Sequence, residues 1–384
     1  MNVLIITAVG GFLPKFLMQD VQMLKDRGHE VHYASNFENP IYECDVTELE
    51  SKDIHCHSIS IAKNPVNIKA GLTAYKQIKK IILNNSIDAV YLHNPMGGVI
   101  GRLQTFSKKN LYVIYVGHGF HFYKGAPIIN WLLFYPVEKM LAKRTDQIIT
   151  INKEDMKAAN TFKLRDNGFV SLIPGVGLDE FRFSFRPEKK GILRKQYGYS
   201  DSDFIFLSVG ELNDNKNHQV IIEAISDINE PNVKLMICGE GVNHKKLQKL
   251  IDSLDIKDKV KLWGYQTKIE DFYHMADCFM FPSKREGLGM ASIEAMACGL
   301  PLIVSENRGT KEYSMSTNSI VCRYDDKKGF VKAMQTVMSD SDRRTKMGIS
   351  SIDIAKRFYK SETKKVMETV FDRMTLNKKA TNFE

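Results

Sequence analysis

Cysteine is scarce and unpatterned in this chain, with six in 384 residues at positions 44, 56, 238, 278, 298 and 322 and no C-x-x-C pair. That spacing excludes a finger-type zinc site and a dithiol redox motif, and it argues against a disulfide-stapled secreted scaffold. Long apolar runs are missing too: none reaches the roughly 18–20 residues needed to cross a bilayer as a helix. The opening MNVLIITAVGG has no basic leader and reads as a first strand rather than a signal peptide. The expectation is a reduced, cytoplasmic protein. TAVGGF, after that first strand, is not the G-x-G-x-x-G fingerprint, which disfavours a dinucleotide oxidoreductase. Neither a nucleic-acid recognition motif nor a pattern of stacking aromatics accompanies the net charge of +9, so no nucleic-acid partner is expected.

Acid is depleted in one part of the chain. Residues 1–62 carry four Lys/Arg against nine Asp/Glu, whereas Lys63 to Arg144 holds twelve Lys/Arg against only Asp88 and Glu138. Such a block suits an anionic membrane or a phosphorylated acceptor, or it is simply a solvated lysine-rich face. Within it, IINWLLFYPVEKMLAKR (128–144) has the apolar, aromatic and basic mixture of an interfacial membrane contact, with core packing as the competing reading.

What is abundant is alternation. NVLIIT (2–7), HEVHYAS (29–35), DAVYLH (88–93), LYVIYVGH (111–118), QIITI (147–151) and FVSLI (169–173) read as buried strands. Helical patterns separate them at 15–27, 69–84, 97–108 and 153–162. IPGVGLDEF (173–181) is a Pro/Gly-rich break, and the alternation then restarts with strands near 203–211, 233–240, 260–264, 278–283, 301–306 and 319–322. The pattern predicts two doubly wound α/β domains, 1–175 and 176–357, with an amphipathic C-terminal helix (about 358–384) returning to the first. A ligand site is expected between the carboxyl ends of their sheets.

The most informative stretch is FPSKREGLGMASIEAMACGLPLIVS (281–305). A strand ends at Pro282-Ser283 and a helix starts between Gly287 and Met290. A helix N-terminus offers unpaired N–H groups and the positive dipole end to a phosphate, and Gly287 and Gly289 let the backbone come close. Glu286 precedes the helix, and Glu294, inside it, is placed to accept hydrogen bonds from a ribose diol. Asn94 in LHNPMGG reads as a helix N-cap ahead of an acceptor contact. Asp201-Ser202-Asp203 and Asp340-Ser341-Asp342 read as structural turns and caps, so no metal is expected.

The E-x7-E spacing before EAMACGLPLIVS, with HGFHFYKGAP, VGELNDNKNH and CGEGVNHKKL, resembles the retaining glycosyltransferases of family 4, in particular the bacterial capsule and exopolysaccharide branch. The resemblance covers nearly the whole chain. It implies a GT-B fold of two Rossmann-like domains. It also implies transfer of a hexose or N-acetylhexosamine from a UDP-sugar to a lipid-linked or oligosaccharide acceptor, without metal or other cofactor. Other two-domain nucleotide-sugar enzymes, such as an epimerase, and a non-catalytic nucleotide-sugar-binding protein are the alternatives. On this resemblance Glu286 and His118 serve the reacting sugar, Glu294 the ribose, and Gly289, Met290, Ala291 and Lys216 the diphosphate. Gly10 and Gly11 form the facing turn, and His121 and Asn94 are acceptor candidates. One departure stands out: Glu211 occupies the place of the family's usual arginine in VGELNDNK. The resemblance therefore leaves Lys216 to act with Arg285 or Lys284, or Glu211 to pair with one of them. It also implies work at the inner face of the plasma membrane, with peripheral contact.

Overall fold

NVLII and AVYLH are built from β-branched and other large apolar residues, and almost every side chain in them is buried, as expected of strands covered on both faces. In the computed structural model, which describes residues 1–38, 43–61 and 68–381, they are two strands of a parallel seven-stranded sheet. Its strands are β1 (Asn2–Ile6), β2 (Glu30–Ser35), β3 (Ile54–Ser58), β4 (Ala89–His93), β5 (Tyr112–Gly117), β6 (Gln147–Thr150) and β7 (Phe169–Leu172), in the spatial order 3-2-1-4-5-6-7. A second parallel sheet holds β8 (Phe204–Val209), β9 (Val233–Cys238), β10 (Val260–Gly264), β11 (Cys278–Phe281), β12 (Leu302–Ser305) and β13 (Ser319–Cys322), in the order 10-9-8-11-12-13. Each order reverses once, between β1 and β4 and between β8 and β11. Loops leaving the carboxyl ends of such strands diverge, and the crevice they leave is where doubly wound sheets bind ligands.

The chain divides into two units, Met1–Val176 with the C-terminal stretch from Ser361, and Gly177–Lys360. The helix Lys360–Thr381 is held to the first unit by Gln147 Nε2 donating to the Val370 carbonyl (2.9 Å) and by the Arg27–Asp372 ion pair (2.8 Å). Phe371 meets the Tyr91 ring edge-on in the same contact. Helix starts in both units are capped as their sequences suggest. Asp45, Asn152, Asp326 and Asp340 each accept from a backbone N–H in the first turn.

The basic stretch is less uniform than its sequence. Arg102 is fully buried, 2.7 Å from Glu138 and with its guanidinium 4.0 Å from the centroid of the Tyr115 ring. It is a core ion pair and contributes nothing to a charged surface. Lys63 lies outside the described residues. Nor does the segment from 128 pack wholly into the core: it forms the helix Ile128–Ala142, with Glu138, Leu141 and Ala142 buried and Ile128, Leu132, Leu133 and Met140 exposed.

Candidate active site

In the second unit, two loops at the reversal of strand order are stitched together. The loop after β8 carries Lys216 and the loop after β11 carries Glu286; Lys216 Nζ lies 2.7 Å from Glu286 Oε1 and 4.8 Å from the Phe281 ring centroid. Only 21% and 12% of the two side chains is exposed, so solvent screens this pair less than a surface one. Asn215 Nδ2 donates to the Arg285 carbonyl and the Lys284 N–H to the Asn215 carbonyl, while Asn217 Nδ2 reaches the carbonyls of Pro282 and Tyr324. These bonds fix where the ion pair sits. Glu211 is exposed, where a carboxylate interacts only weakly with distant charge.

The helix after Glu286 starts at Met290, the last position of the range its sequence suggests, and runs to Ala297. Gly289 is its N-cap residue with φ +95°, and no side chain caps this end. An added Cβ there would stand 2.8 Å from the Phe281 ring and 2.9 Å from Tyr313 Oη, so glycine is required both by conformation and by space. The amides around Gly289, Met290 and Ala291 therefore form a helix N-terminus suited to an anion. Glu294, farther along, accepts a hydrogen bond of 2.8 Å from Tyr273 Oη. Tyr273 is fully buried in the helix Ile269–Met275, so it anchors the carboxylate from below. Burial, then the nearby Glu294 charge, pushes the phenol's pKa well up, and it remains the donor.

Two contributors escape sequence reasoning. Arg308, 8% exposed, places Nε 3.4 Å from the Glu286 carbonyl. Gly309 follows it, and a Cβ there would stand 2.9 Å from Glu286 Cβ and from the backbone of Leu288. The available signal was the Asn-Arg-Gly triplet (307–309) just beyond a buried strand, a place where a basic residue and a glycine together mark close backbone approach.

In the first unit, the loops after β1, β4 and β5 carry Gly10 and Gly11, Asn94, and His118. The Gly10 amide donates to the Asn36 carbonyl (3.1 Å) and its own carbonyl accepts from Tyr33 Oη (2.7 Å); a Cβ would meet the Phe37 ring at 2.9 Å. Gly11 is the N-cap residue of the short helix Phe12–Phe16. Asn94 occupies the N-cap position of the helix Pro95–Leu103 but makes no capping bond, because its Oδ1 accepts from the Ala8 N–H at 3.1 Å. Its φ of +67° lies outside the extended region that a capping residue ordinarily adopts. His121 stacks on Phe134 with ring centroids 4.5 Å apart, and its carbonyl accepts from Asn130 Nδ2.

His118 Nε2 lies 3.0 Å from His93 Nδ1, with the Phe12 ring 5.5 Å from the His118 ring. One ring donates and the other accepts, an arrangement available to neutral imidazoles. Burial lowers the His118 pKa to about 4, and His93 is lowered further by burial and by the neighbouring imidazole. Between pH 6.5 and 4 the unfolded chain thus binds protons that the fold refuses, so these histidines make stability fall as pH falls through that window. The expected NMR result is a His118 ring, assigned by His118→Gln, that keeps its neutral shifts from pH 8 to 5 and titrates near 4. A midpoint near 6.5 would refute the buried neutral pair.

Two parallel sheets, each reversing strand order at the loops that carry these residues, define the GT-B glycosyltransferase fold. The chain belongs to the family 4-like glycosyltransferases: residues 4–152 match the model described as "Glycosyl transferase 4-like" and residues 189–352 that described as "Glycosyl transferases group 1". It is 35% identical over 353 residues, 90% of either chain, to EpsD of Bacillus subtilis, a protein assigned as a glycosyltransferase. It is 27% identical over 300 residues to the UDP-Gal:alpha-D-GlcNAc-diphosphoundecaprenol alpha-1,3-galactosyltransferase of Escherichia coli, covering 76% of this chain and 75% of that one. Among solved structures, Anabaena HepE in complex with UDP superposes with a TM-score of 0.78 at 18% identity, over 98% of this chain and 100% of HepE.

Proposed function

We propose that this glycosyltransferase moves a hexose or N-acetylhexosamine from a UDP-sugar, with retention of anomeric configuration, to a lipid-linked saccharide in bacterial surface-polysaccharide assembly. The observation that carries the donor half is the Lys216–Glu286 pair beside an uncapped helix end, with Glu294 anchored one to two turns farther on. This order of a first carboxylate, a cation with helix-end amides, and a second carboxylate matches the order of a nucleotide-sugar's sugar, diphosphate and ribose. Glu286 supports positive charge at the anomeric carbon, Lys216 and the amides at 289–291 take the diphosphate, and Glu294 takes the ribose hydroxyls. Arg285 stands in the loop that Asn215 fixes and Arg308 lies beneath it, which supplies cationic partners where Glu211 replaces an arginine. On this reading the diphosphate charge is met by side chains and amides, and no metal is required. His118 contacts the donor sugar through a neutral ring, Gly10 and Gly11 leave room for the phosphates, and His121 and Asn94 lie toward the acceptor. The Escherichia coli relative is named for a UDP-sugar donor and a diphosphoundecaprenol-linked acceptor, which supports both classes, and HepE was crystallised with UDP, which supports the nucleotide alone.

Purified protein assayed against a panel of UDP-sugars, with a lipid-diphosphate saccharide as acceptor, tests this directly. One donor should give product with the donor's anomeric configuration and should raise the melting temperature of the protein. Absence of both protection and turnover with every UDP-sugar would overturn the nucleotide assignment, and an inverted product would overturn retention.

A further inference from the structure

His93 is the last residue of β4 and His118 comes directly after β5, and these strands pair with His93 opposite Val116. Alternation along the pleat therefore puts Tyr91, His93 and His118 on one face of the sheet. The two imidazoles are joined edge to edge, Nδ1 of His93 to Nε2 of His118 at 3.0 Å, with ring planes 30° apart. That bond uses one nitrogen of each ring. On His118, which is partly exposed, the nitrogen left for a ligand is Nδ1. On His93, only 1% exposed, the remaining nitrogen is Nε2, a buried atom without a hydrogen-bond partner. The rings of Tyr91 and Phe12 pack against His93, with centroids 4.3 and 5.5 Å away. Tyr91 Oη is committed to Asp20 Oδ2 at 2.8 Å and makes no bond to the imidazole.

We infer that His93 is a positioning residue: its Nδ1–H donates to His118 Nε2 and holds His118 in the tautomer that presents Nδ1–H to the donor sugar. The role at the sugar rests on the proposed contact of His118; the tautomer does not.

Two neutral arrangements satisfy the bond between the rings. If His118 donated, His93 would carry its proton on Nε2, a buried N–H without an acceptor, for which an aromatic face is a weak substitute. If His93 donates, its Nε2 keeps only a lone pair. Acceptors short of a donor are commoner inside proteins than N–H groups without an acceptor, so the second arrangement is favoured. Placing an extra proton on either ring is opposed by burial, which lowers both pKa values. His118 then meets the sugar as a hydrogen-bond donor and not as a base, because the nitrogen left for a ligand already carries its proton. His93 has almost no surface to offer a ligand and acts only through this bond.

Nitrogen NMR of the full chain, selectively labelled with 15N-histidine and without ligand, reads the tautomers directly, the two rings being assigned by His118→Gln and His93→Asn. Near neutral pH both rings should show a protonated, pyrrole-type Nδ1 and a pyridine-type Nε2. The reverse pattern on both would overturn the inference, and this arm decides the tautomer even if no UDP-sugar turns over. His93→Phe removes the donor. The Nε2–H tautomer of His118 should then become populated, and kcat/KM for the UDP-sugar should fall about threefold to tenfold, the worth of one hydrogen bond. UDP affinity should hold, since UDP carries no sugar. His93→Asn keeps an amide donor near the place of Nδ1 and should restore both the His118 tautomer and turnover. An unchanged His118 tautomer in His93→Phe, or no recovery of it in His93→Asn, would overturn control by His93. A changed tautomer with turnover intact would leave that control standing and reject the contact of His118 with the donor sugar.

Discussion

Glu294→Ala should weaken UDP binding about 100-fold, equivalent to ~2.7 kcal/mol. A carboxylate accepting two ribose hydroxyls makes two charge-assisted hydrogen bonds of about 1.5–3 kcal/mol each, part of which water recovers in the variant. The pocket makes the loss specific to Glu294. Tyr273, with no exposed surface, donates to Oε2 and so fixes the orientation of the carboxylate. Tyr273→Phe separates orientation from charge. It keeps the carboxylate but frees its torsions, and should cost about tenfold in UDP affinity through lost preorganisation. Stability should move differently from affinity. Glu294→Ala strands the Tyr273 hydroxyl and should lower unfolding free energy by about 1–3 kcal/mol, whereas Tyr273→Phe removes donor and bond together and should cost less. Isothermal titration with UDP and urea unfolding give both quantities. UDP affinity within about threefold of wild type in Glu294→Ala would reject a ribose contact, since even one charge-assisted bond exceeds that.

The reach of sequence reasoning follows how local each signal is. Doubly buried strands such as AVYLH write themselves as short apolar runs, and their positions were legible to within a residue or two. β3 was not: Ile54–Ser58 reads IHCHS, and as an edge strand it presents three polar side chains in five, so neither an apolar run nor a clear alternation marks it. The helices Lys189–Tyr197 and Ile269–Met275 were also missed, the first because its composition is dominated by charge and the second because it spans two turns only. At the candidate site, the positions of Glu286, Glu294 and Gly289 were readable because they lie in one contiguous strand-to-helix passage. Tyr273 and Arg308 were not, since the first reaches Glu294 from another helix and the second approaches Glu286 from the loop after a different strand. Asn94 shows the limit from the other direction. An Asn before Pro has the local signature of a cap, but a tertiary partner, the Ala8 N–H, takes the side chain instead. Charge totals mislead in the same way, because a sequence count weighs the buried Arg102 equally with the exposed Lys143.

Glu286→Ala should reduce kcat by about 10²–10³, the usual loss when one preorganised charge facing the reacting centre is removed, while UDP affinity stays within a few-fold. The split follows from the site: Glu286 serves the sugar, which UDP lacks. Lys216→Ala should instead weaken UDP binding and lower kcat together, because its ammonium serves the diphosphate both in the bound donor and in the departing UDP. The two changes should not add. With Nζ 2.7 Å from Oε1 and both side chains mostly covered, removing the lysine leaves a carboxylate without its cation, next to where the diphosphate binds. Removing both relieves that repulsion. Lys216→Ala/Glu286→Ala is therefore expected to bind UDP more tightly than Lys216→Ala, and to unfold at higher urea, although its turnover is the lowest of the three. A double-mutant cycle on UDP affinity and on unfolding free energy measures the coupling, expected at about 1–3 kcal/mol in each. Additive effects in both, to within about 0.3–0.5 kcal/mol, would show that the pair acts as two independent residues, and the assignment of Lys216 and Glu286 to one diphosphate–sugar site would fail.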